Sequence, residues 1–526
     1  MGIEEYLDNV KGMIDDLKAM TADLGLANTG DEYKIISELF TYKFLNDKLV
    51  YEFENRQDKE ESFQNFIDFA DPDTARINEE YLLSNLFQRQ NEPEFPVVFD
   101  QAFESISELN ADIYSIETTD GTKKPLLEAI SVFLRDKNKE QELAKRSINI
   151  LNKYTFKGIY NQGWDYFSSV FEYLIKDYNK DSGKYAEYYT PASAGAIMAD
   201  ILYNDTPVEK VSLYDPAAGS GTLLLSMAHK IGVRNCTLYS QDRSQKSTQF
   251  LRINLILNNL AHSLANVIEG NTLTHPSHLN DDKLQQFDFI VSNPPFNVDF
   301  SADVSTLQTD IYGRFTAGVP NIPAKDKKKM AVYLCFLQHI LASMSDTGKA
   351  AVVVPTGFLT AATGIAKKIR MQMIDNNWVR GCVSMPANIF ATTGTNVSII
   401  FLDKTRKDSD DVILIDASNL GEKIRLDDGQ RTILSVEDEQ RIINAFKTMK
   451  KEDDFSMVVS VEQIKEKGYS LNAGQYFSIK IERLDISPEQ YKQKMTAHIE
   501  KIDALSSENR DIDDRIKQML EVLKYE

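Results

Sequence analysis

Cysteine and histidine are scarce in this sequence, and neither is arranged to bind a metal. The 526 residues include three cysteines and six histidines. Cys236, Cys335 and Cys382 stand far apart in apolar surroundings, without the close spacing of metal ligands or of a redox pair. We therefore expect reduced, buried thiols, a cytoplasmic protein and no metal site.

Long apolar runs and excess positive charge are also absent. No stretch of about 18 residues is apolar enough to cross a membrane, and the N-terminus carries no basic segment followed by an apolar one, so we expect neither a membrane span nor a secretory signal. The net charge is −20, from 59 Lys and Arg residues against 79 Asp and Glu residues. Because phosphate contacts dominate nucleic-acid affinity, such a chain is predicted to bind nucleic acid poorly by itself.

One tetrapeptide, Asn293-Pro294-Pro295-Phe296, follows the apolar run 287–291, which predicts a buried strand. An exocyclic amino nitrogen of a nucleobase is a poor nucleophile because its lone pair is conjugated into the ring. The side-chain oxygen of Asn293 and the carbonyl of Pro294 can accept its two hydrogens, and the prolines stiffen the loop. Phe296 can stack on a base flipped out of a duplex. The alternative is a proline-rich turn that merely ends a strand.

A glycine loop stands upstream of this tetrapeptide. A buried strand is predicted to end at Asp215, and Gly219, Ser220 and Gly221 follow it. Such glycines let the backbone approach a ligand closely at the carboxyl edge of a parallel sheet, and the spacing matches neither a dinucleotide fingerprint nor a P-loop. The next predicted strand ends at Asp242, where doubly wound nucleoside sites place a ribose-binding carboxylate. Asp242 can also cap the following helix, or serve both purposes.

These segments resemble the modification (methyltransferase) subunits of type I restriction-modification systems, a family of N6-adenine DNA methyltransferases, and the resemblance covers most of the chain. It implies a methyltransferase α/β fold that uses S-adenosylmethionine, with a doubly wound, mostly parallel sheet, an N-terminal helical domain and a C-terminal long helix. It also implies that catalysis falls to Asn293, Pro294, Pro295 and Phe296. The cofactor-binding residues that it implies are Glu187, Tyr188, Tyr189, Thr190, Pro191, Ala192, Asp215, Gly219, Ser220, Gly221, Asp242 and Asn271.

The sequence departs from the family's pattern at three positions. Asp242 stands where the family usually has Glu, and Asn271 where an acid near the adenine ring is common. Val332 precedes Tyr333, where the family frequently has Asp before Tyr. The first two departures concern the cofactor, and none of the three removes the catalytic loop.

The resemblance implies methyl transfer to N6 of adenine in a specific DNA sequence, which protects host DNA from restriction. Because the chain is acidic and shows no base-recognition segment, we expect another subunit to supply sequence recognition. The resemblance implies that this partner is a specificity subunit with two target-recognition domains. Two copies of this chain are expected for each specificity subunit, and a restriction subunit can accompany them. Three alternatives stay open: an N4-cytosine methyltransferase, a self-sufficient N6-adenine methyltransferase, and a non-catalytic scaffold of a defence complex.

The periodicity of the chain predicts four stretches. Residues 1–155 form a helical domain, 156–410 the catalytic domain with alternating strands and helices, 411–485 an extension of its core, and 486–526 one long helix for subunit association. A capping box is predicted where that helix begins, at Ser487-Pro488-Glu489-Gln490. Apolar residues recur there at steps of three and four, which favours a coiled-coil seam over a helix packed on its own chain. The seam comprises Met495, Ile499, Ile502, Leu505, Ile512, Ile516, Met519 and Leu523, with Asn509 interrupting it.

A basic run, Lys325-Asp326-Lys327-Lys328-Lys329, follows the catalytic tetrapeptide across a long loop. Such a run is typical of a solvated helix start, but it can also contact phosphates near a flipped base. The sequence leaves both interpretations open.

Overall fold

The computed structural model describes residues 3–522 except 28, 72, 115, 118–122, 126, 135, 157–159, 161–189, 204–206, 391–395, 408, 427–428 and 478–486. The predicted cofactor residues Glu187, Tyr188 and Tyr189 lie outside these described residues, as does Leu523 of the predicted seam. The chain divides into two compact units, Met1–Tyr476 and Phe477–Glu526.

The first part of the larger unit is helical, as predicted. Its longest helix begins after Thr29, whose hydroxyl accepts a hydrogen bond from the Glu32 amide at 3.2 Å. Aromatic side chains form its core, where Tyr42 lies 5.3 Å from Phe103 between ring centroids. The helices are α1 Ile3–Asp23, α2 Gly30–Glu54, α3 Phe63–Asp68, α4 Leu83–Arg89, α5 Phe95–Leu109, α6 Ala111–Tyr114 and α7 Glu140–Lys153.

A nine-stranded sheet forms the centre of the larger unit. Its strands are β1 Val211–Asp215, β2 Cys236–Asp242, β3 Val267–Glu269, β4 Phe287–Ser292, β5 Met344–Pro355, β6 Val379–Ser384, β7 Val397–Asp403, β8 Val412–Asp416 and β9 Ser456–Val459. They lie in the order β9-β8-β6-β7-β5-β4-β1-β2-β3. Strands β7 and β9 run antiparallel to their neighbours, and the other pairs are parallel. The sheet is therefore mostly parallel, as predicted.

The central strands are buried on both faces because helices cover the sheet. Every residue of Val397–Asp403 is buried, as is the run Ala350–Val354, which explains why these segments are continuously apolar rather than alternating. The helices of this part of the chain are α8 Ala192–Leu202, α9 Thr222–Ile231, α10 Gln245–Leu257, α11 Val304–Gln308, α12 Tyr333–Ser343, α13 Gly364–Asp375, α14 Val436–Lys447 and α15 Val461–Glu466. Among the described residues, no helix is both long and apolar enough to cross a membrane.

The parallel register brings the ends of β1, β2 and β4 to one edge of the sheet. Asp215 pairs with Ser240 of β2, and Tyr214 pairs with Ile290 of β4. Asp242 and Ser292 end their strands at the same edge, because parallel strands share a direction. The segments that the sequence singled out thus leave the sheet side by side.

The helical part and the sheet share one apolar core. Polar contacts also join them. The buried Lys48 of α2 donates to the side-chain oxygen of Asn259, just past α10, at 2.6 Å, and Asp47 accepts from the amide of Phe156 at 2.9 Å. The first 476 residues are consequently one compact unit, and strands β8 and β9, which follow residue 410, belong to its sheet.

The smaller unit contains one long helix, α16 Pro488–Val522. It begins with the predicted capping box, in which the Gln490 amide donates to the Ser487 hydroxyl at 3.2 Å and the Ser487 amide donates to the Gln490 side chain at 3.0 Å. The apolar side chains of its predicted seam that the structure describes are exposed, for example Ile512 at 45% and Ile516 at 49%.

Candidate active site

A cavity of about 550 Å³ opens at the carboxyl edge of the sheet, where β1, β2, β3 and β4 end. Most of the predicted site residues that the structure describes line it. Those residues are Thr190, Asp215, Gly219, Ser220, Asp242, Asn271, Asn293 and Pro295. Of the remaining described ones, Gly221 lies within the glycine loop, Pro191 and Ala192 begin α8, and Pro294 and Phe296 belong to the catalytic loop.

The glycine loop needs glycine because of its backbone and its packing. Gly219 and Gly221 have φ angles of 55° and 87°, in the left-handed region. A Cβ atom on Gly221 would lie 2.2 Å from a methyl carbon of Leu251 on α10. The Asn254 side chain of the same helix donates to the Ser220 carbonyl at 2.9 Å, so the loop is held against α10 while its backbone lines the cavity.

Asp242 fastens the glycine loop to the end of β2. One carboxylate oxygen accepts from the Gly219 amide at 2.9 Å, and the other accepts from the Ser244 amide at 2.8 Å. Burial raises the pKa of Asp242, although these two amides oppose the shift. The sequence left open whether Asp242 caps the following helix. In the structure Ser244 is the N-cap of α10, and its hydroxyl accepts from the Ser247 amide at 3.2 Å.

Asp215 joins the glycine loop to the Asn-Pro-Pro-Phe loop. A single carboxylate oxygen accepts from the Ala217 amide at 2.9 Å and from the Ser292 hydroxyl at 2.8 Å. Ser292 directly precedes Asn293, so this contact fixes the distance between the two loops. Burial raises the pKa of Asp215 to about 7, because it disfavours the charged form more strongly than the two hydrogen bonds favour it.

The side chain of Asn293 is oriented by Thr190. The amide nitrogen of Asn293 donates to the Thr190 hydroxyl at 3.1 Å, across 103 residues of sequence. Since the two arms of a planar amide diverge, this contact directs the carbonyl oxygen of Asn293 away from Thr190. Both residues line the cavity.

Aromatic rings brace the end of the catalytic loop. Phe296 is partly buried and meets the edge of Tyr333, with ring centroids 6.2 Å apart and an interplanar angle of 76°. Tyr333 in turn meets Phe358 at 6.1 Å and 82°. Tyr333 begins α12, so the helix that follows the catalytic loop helps to fix the orientation of the Phe296 ring.

Asn271, which follows β3, also lines the cavity. Its side-chain oxygen accepts from the Leu273 amide at 3.1 Å. The buried Arg314 holds this turn in place by donating to the carbonyls of Thr272 and Leu273 at 3.0 and 2.6 Å, while it pairs with Asp310 at 2.7 Å. The loop after the catalytic tetrapeptide is therefore anchored to the loop that carries Asn271.

Sequence reasoning did not identify several residues of this site. Ser292 and Arg314 act through contacts with Asp215 and with the carbonyls of Thr272 and Leu273, which lie far away in the sequence and which no local pattern predicts. Phe300 and Phe336 line the cavity from a loop and from α12. Ser292 alone had a usable signal, because a polar residue at the end of an apolar strand and beside a catalytic motif needs a buried partner.

The sequence profile of the N-6 DNA Methylase family matches residues 162–485, and the chain belongs to this family. The chain is 30% identical over 374 residues to the type I restriction enzyme MpnII methylase subunit of Mycoplasma pneumoniae. The aligned region covers 69% of this chain and 65% of that protein. It is 28% identical over 379 residues to the type I restriction enzyme MjaIX methylase subunit of Methanocaldococcus jannaschii, covering 69% of this chain and 64% of that protein. The matched region thus spans slightly less than two thirds of these relatives.

The fold matches a solved structure over most of both chains. The type I restriction-modification system methyltransferase subunit from Streptococcus thermophilus aligns with a TM-score of 0.68 and 21% identity, over 91% of this chain and all of that chain. This likeness confirms the predicted methyltransferase fold.

The buried Asp215 predicts how the stability of the ligand-free protein depends on pH. The folded protein retains a proton on Asp215 up to about pH 7, whereas the unfolded chain releases it near pH 3.8. The unfolded state therefore binds fewer protons across this window, and the free energy of unfolding falls as the pH rises, by on the order of 4 kcal/mol in total. Asp215→Asn keeps an accepting oxygen without the charge, so it should be the more stable protein above this window.

Urea unfolding near pH 5 and near pH 8 measures the difference between the two proteins. The advantage of Asp215→Asn should be larger at the higher pH. The exposed Asp281 provides the control, because Asp281→Asn should change stability little at either pH. If the stability advantage of Asp215→Asn is the same at both pH values, Asp215 is charged in the folded protein at both.

Proposed function

We propose that this chain transfers a methyl group from S-adenosylmethionine to N6 of adenine in DNA, as the modification subunit of a type I restriction-modification complex. One observation carries the proposal. The glycine loop and the Asn-Pro-Pro-Phe loop line a single cavity and are joined by the 2.8 Å contact between Asp215 and Ser292. A nucleoside cofactor bound at the glycine loop would therefore lie next to a nucleobase amino group bound at the Asn-Pro-Pro-Phe loop.

The donors and acceptors of the cavity fit S-adenosylmethionine. The buried carboxylate of Asp215 and the partly buried carboxylate of Asp242 line the same space, and a cationic ligand would offset the cost of burying them. Each oxygen of Asp242 uses one lone pair for a backbone amide and retains another that ribose hydroxyls can occupy. The glycine loop would hold the methionine side, and Asn271 lies where the adenine side would be. A volume of about 550 Å³ suits a ligand of this size.

When bound, S-adenosylmethionine supplies a methyl group on a positively charged sulfur. The chain's own contribution is to present the amino nitrogen of the base. The oxygen of Asn293 accepts one of its hydrogens and the carbonyl of Pro294 accepts the other, which favours a tetrahedral nitrogen with an available lone pair. Neither acceptor needs to be a strong base. Proline fixes the backbone at the second acceptor, so little reorganisation is needed.

The ring of Phe296 completes the base-binding site. A base that leaves the duplex loses stacking worth a few kcal/mol, and an aromatic face recovers part of it. Tyr333 holds Phe296 edge-on, so its orientation is set before the base arrives.

Sequence recognition is assigned to a partner. A chain of net charge −20 has a poor electrostatic basis for binding DNA alone. The exposed seam of α16 suits a partner helix, and the partner is a specificity subunit with two target-recognition domains that binds two copies of this chain. Methylation by the complex protects host DNA, and a restriction subunit can join it.

Asn293→Ala tests the catalytic assignment. The variant loses one preorganised acceptor, so the methylation rate of the assembled complex should fall about a hundredfold or more. Calorimetric titration should show unchanged affinity for S-adenosylmethionine, because the glycine loop is untouched. Asn376→Ala is the matched control, since Asn376 is exposed and precedes β6 at the opposite edge of the sheet. A near wild-type rate for Asn293→Ala would refute the mechanism.

Thr190→Val separates two roles for Thr190. The family resemblance implies that Thr190 contacts the cofactor, whereas its hydrogen bond to Asn293 makes it a positioning residue for the catalytic amide. Valine matches threonine in shape but cannot accept the hydrogen bond. We expect kcat to fall about tenfold, the loss of roughly one hydrogen bond, with little change in cofactor affinity, and Thr190→Ser to restore the rate. A weaker cofactor affinity with unchanged kcat would assign Thr190 to the cofactor instead.

Ile512→Asp with Ile516→Asp tests the partner surface. Two charges in a buried seam are strongly unfavourable, so co-purification with the specificity subunit and site-specific methylation should fall sharply. Cofactor binding should persist, because α16 belongs to a separate compact unit. Ser507→Asp with Gln518→Asp is the control, since it adds two charges outside the seam on the same helix. Normal assembly of the seam variant would place the partner elsewhere, with residues 1–155 as the next candidate.

A further inference from the structure

The lysines that follow the catalytic loop are anchored to the wall of the cavity. Lys327–Lys329 form one turn of 3₁₀-helix in which the side chain of Asp326 accepts from the Lys328 amide at 3.1 Å. The next residue, Met330, is fully buried in a small apolar cluster together with Phe300 and Phe336. Phe300 and Phe336 also line the cavity. The lysine turn therefore has a fixed place beside the cavity.

A backbone hydrogen bond ties the same turn to the catalytic loop. The amide of Val298, two residues past Phe296, donates to the Met330 carbonyl at 3.4 Å. Val298 itself lines the cavity. The neighbouring carboxylate, Asp299, has a lowered pKa, chiefly because Ser301 donates to it and also because Lys327 and Lys328 are close. The lysines and the start of the post-catalytic loop thus share one surface.

The charge of this surface is opposite to that of the chain. The run 325–329 contributes four lysines to this surface, and Asp326 and Asp299 contribute two carboxylates. The net charge of the patch is therefore +2, in a protein whose net charge is −20. Lys325, Lys327, Lys328 and Lys329 are exposed. Lysine offers a compact charge on a flexible stem, which suits contact with a phosphate.

We propose that Lys327 and Lys328 contact the phosphate backbone of DNA next to the flipped adenine. The inference rests on the proposed function and extends it to the strand on either side of the target nucleotide. A flipped nucleotide keeps its two phosphates at the mouth of the site, where its neighbours remain in the duplex. Contacts to those phosphates position the DNA and carry no sequence information, which remains with the partner.

The salt dependence of DNA binding tests this assignment. Each phosphate contact contributes about 0.9 to the slope of log affinity against log salt concentration. In the assembled complex, Lys327→Gln with Lys328→Gln should reduce that slope by about one to two and weaken binding about tenfold at low salt. The probe is a short duplex that the wild-type complex retains from a pool of random sequences, so its choice depends on binding and not on methylation. Chromatography of the variant should show normal assembly.

Lys210→Gln with Lys407→Gln is the matched control. Both lysines are exposed, and they lie at the opposite edge of the sheet, because Lys210 precedes β1 and Lys407 follows the antiparallel β7. The control removes the same charge and should leave the slope unchanged. Equal slopes for the two variants and the wild type would overturn the proposal and leave the run a solvated turn.

Two other outcomes are distinguishable. If Lys327→Gln with Lys328→Gln weakens assembly but leaves unchanged the salt slope of the complex that still forms, the patch contacts a subunit and the DNA assignment is wrong. If the wild-type complex binds DNA with the expected slope but places no methyl group on it, the proposed function fails while the phosphate contacts stand.

Discussion

The carboxylate of Asp215 is the point at which the two halves of the site meet. It ends β1, and its one oxygen accepts from the backbone of the glycine loop and from the hydroxyl of Ser292 at the end of β4. Because β1 and β4 are adjacent and parallel, these contacts set the separation of the two loops. Asp242 repeats the arrangement from the next strand by holding Gly219. Loss of the Asp215 contacts would leave each loop intact and their separation undefined.

Burying these carboxylates without a cation is unfavourable, and this favours the binding of a cationic ligand. Burial raises the pKa of both Asp215 and Asp242, so the ligand-free cavity disfavours their charges. A cationic nucleoside would relieve this, and its binding would be coupled to proton release near neutral pH. A charged Asp215 would therefore lower the stability of the free protein but raise its affinity for a cationic nucleoside.

The sequence was sufficient to predict the parts of the site that local pattern determines. Apolar runs that end in Asp215, Asp242 and Ser292 identified neighbouring strands, and the order of parallel strands places their ends at one edge. Positive φ at Gly219 and Gly221 follows from the need for close backbone approach. Asn293 was recognisable because its neighbours restrict the backbone.

Contacts between distant residues could not be predicted in the same way. Thr190 reaches Asn293 across 103 residues, and Arg314 reaches the turn after Asn271 across the catalytic loop. Such pairs depend on how the loops fold over the sheet edge, which periodicity does not specify. The sequence left open whether Asp242 caps α10, because two suitable residues, Asp242 and Ser244, stand two positions apart, and only the geometry chooses between them. Boundaries between domains are likewise invisible where one core runs through both parts.

The identity of the methylated atom is the most direct test of the proposed chemistry. The complex assembled with its specificity subunit would be given DNA and S-adenosylmethionine labelled in the methyl group, and the DNA would then be digested to nucleosides for mass spectrometry. We expect the label in N6-methyldeoxyadenosine. Label in N4-methyldeoxycytidine would contradict the assignment of the base, and unlabelled DNA from an assembled, cofactor-binding complex would contradict methyl transfer itself.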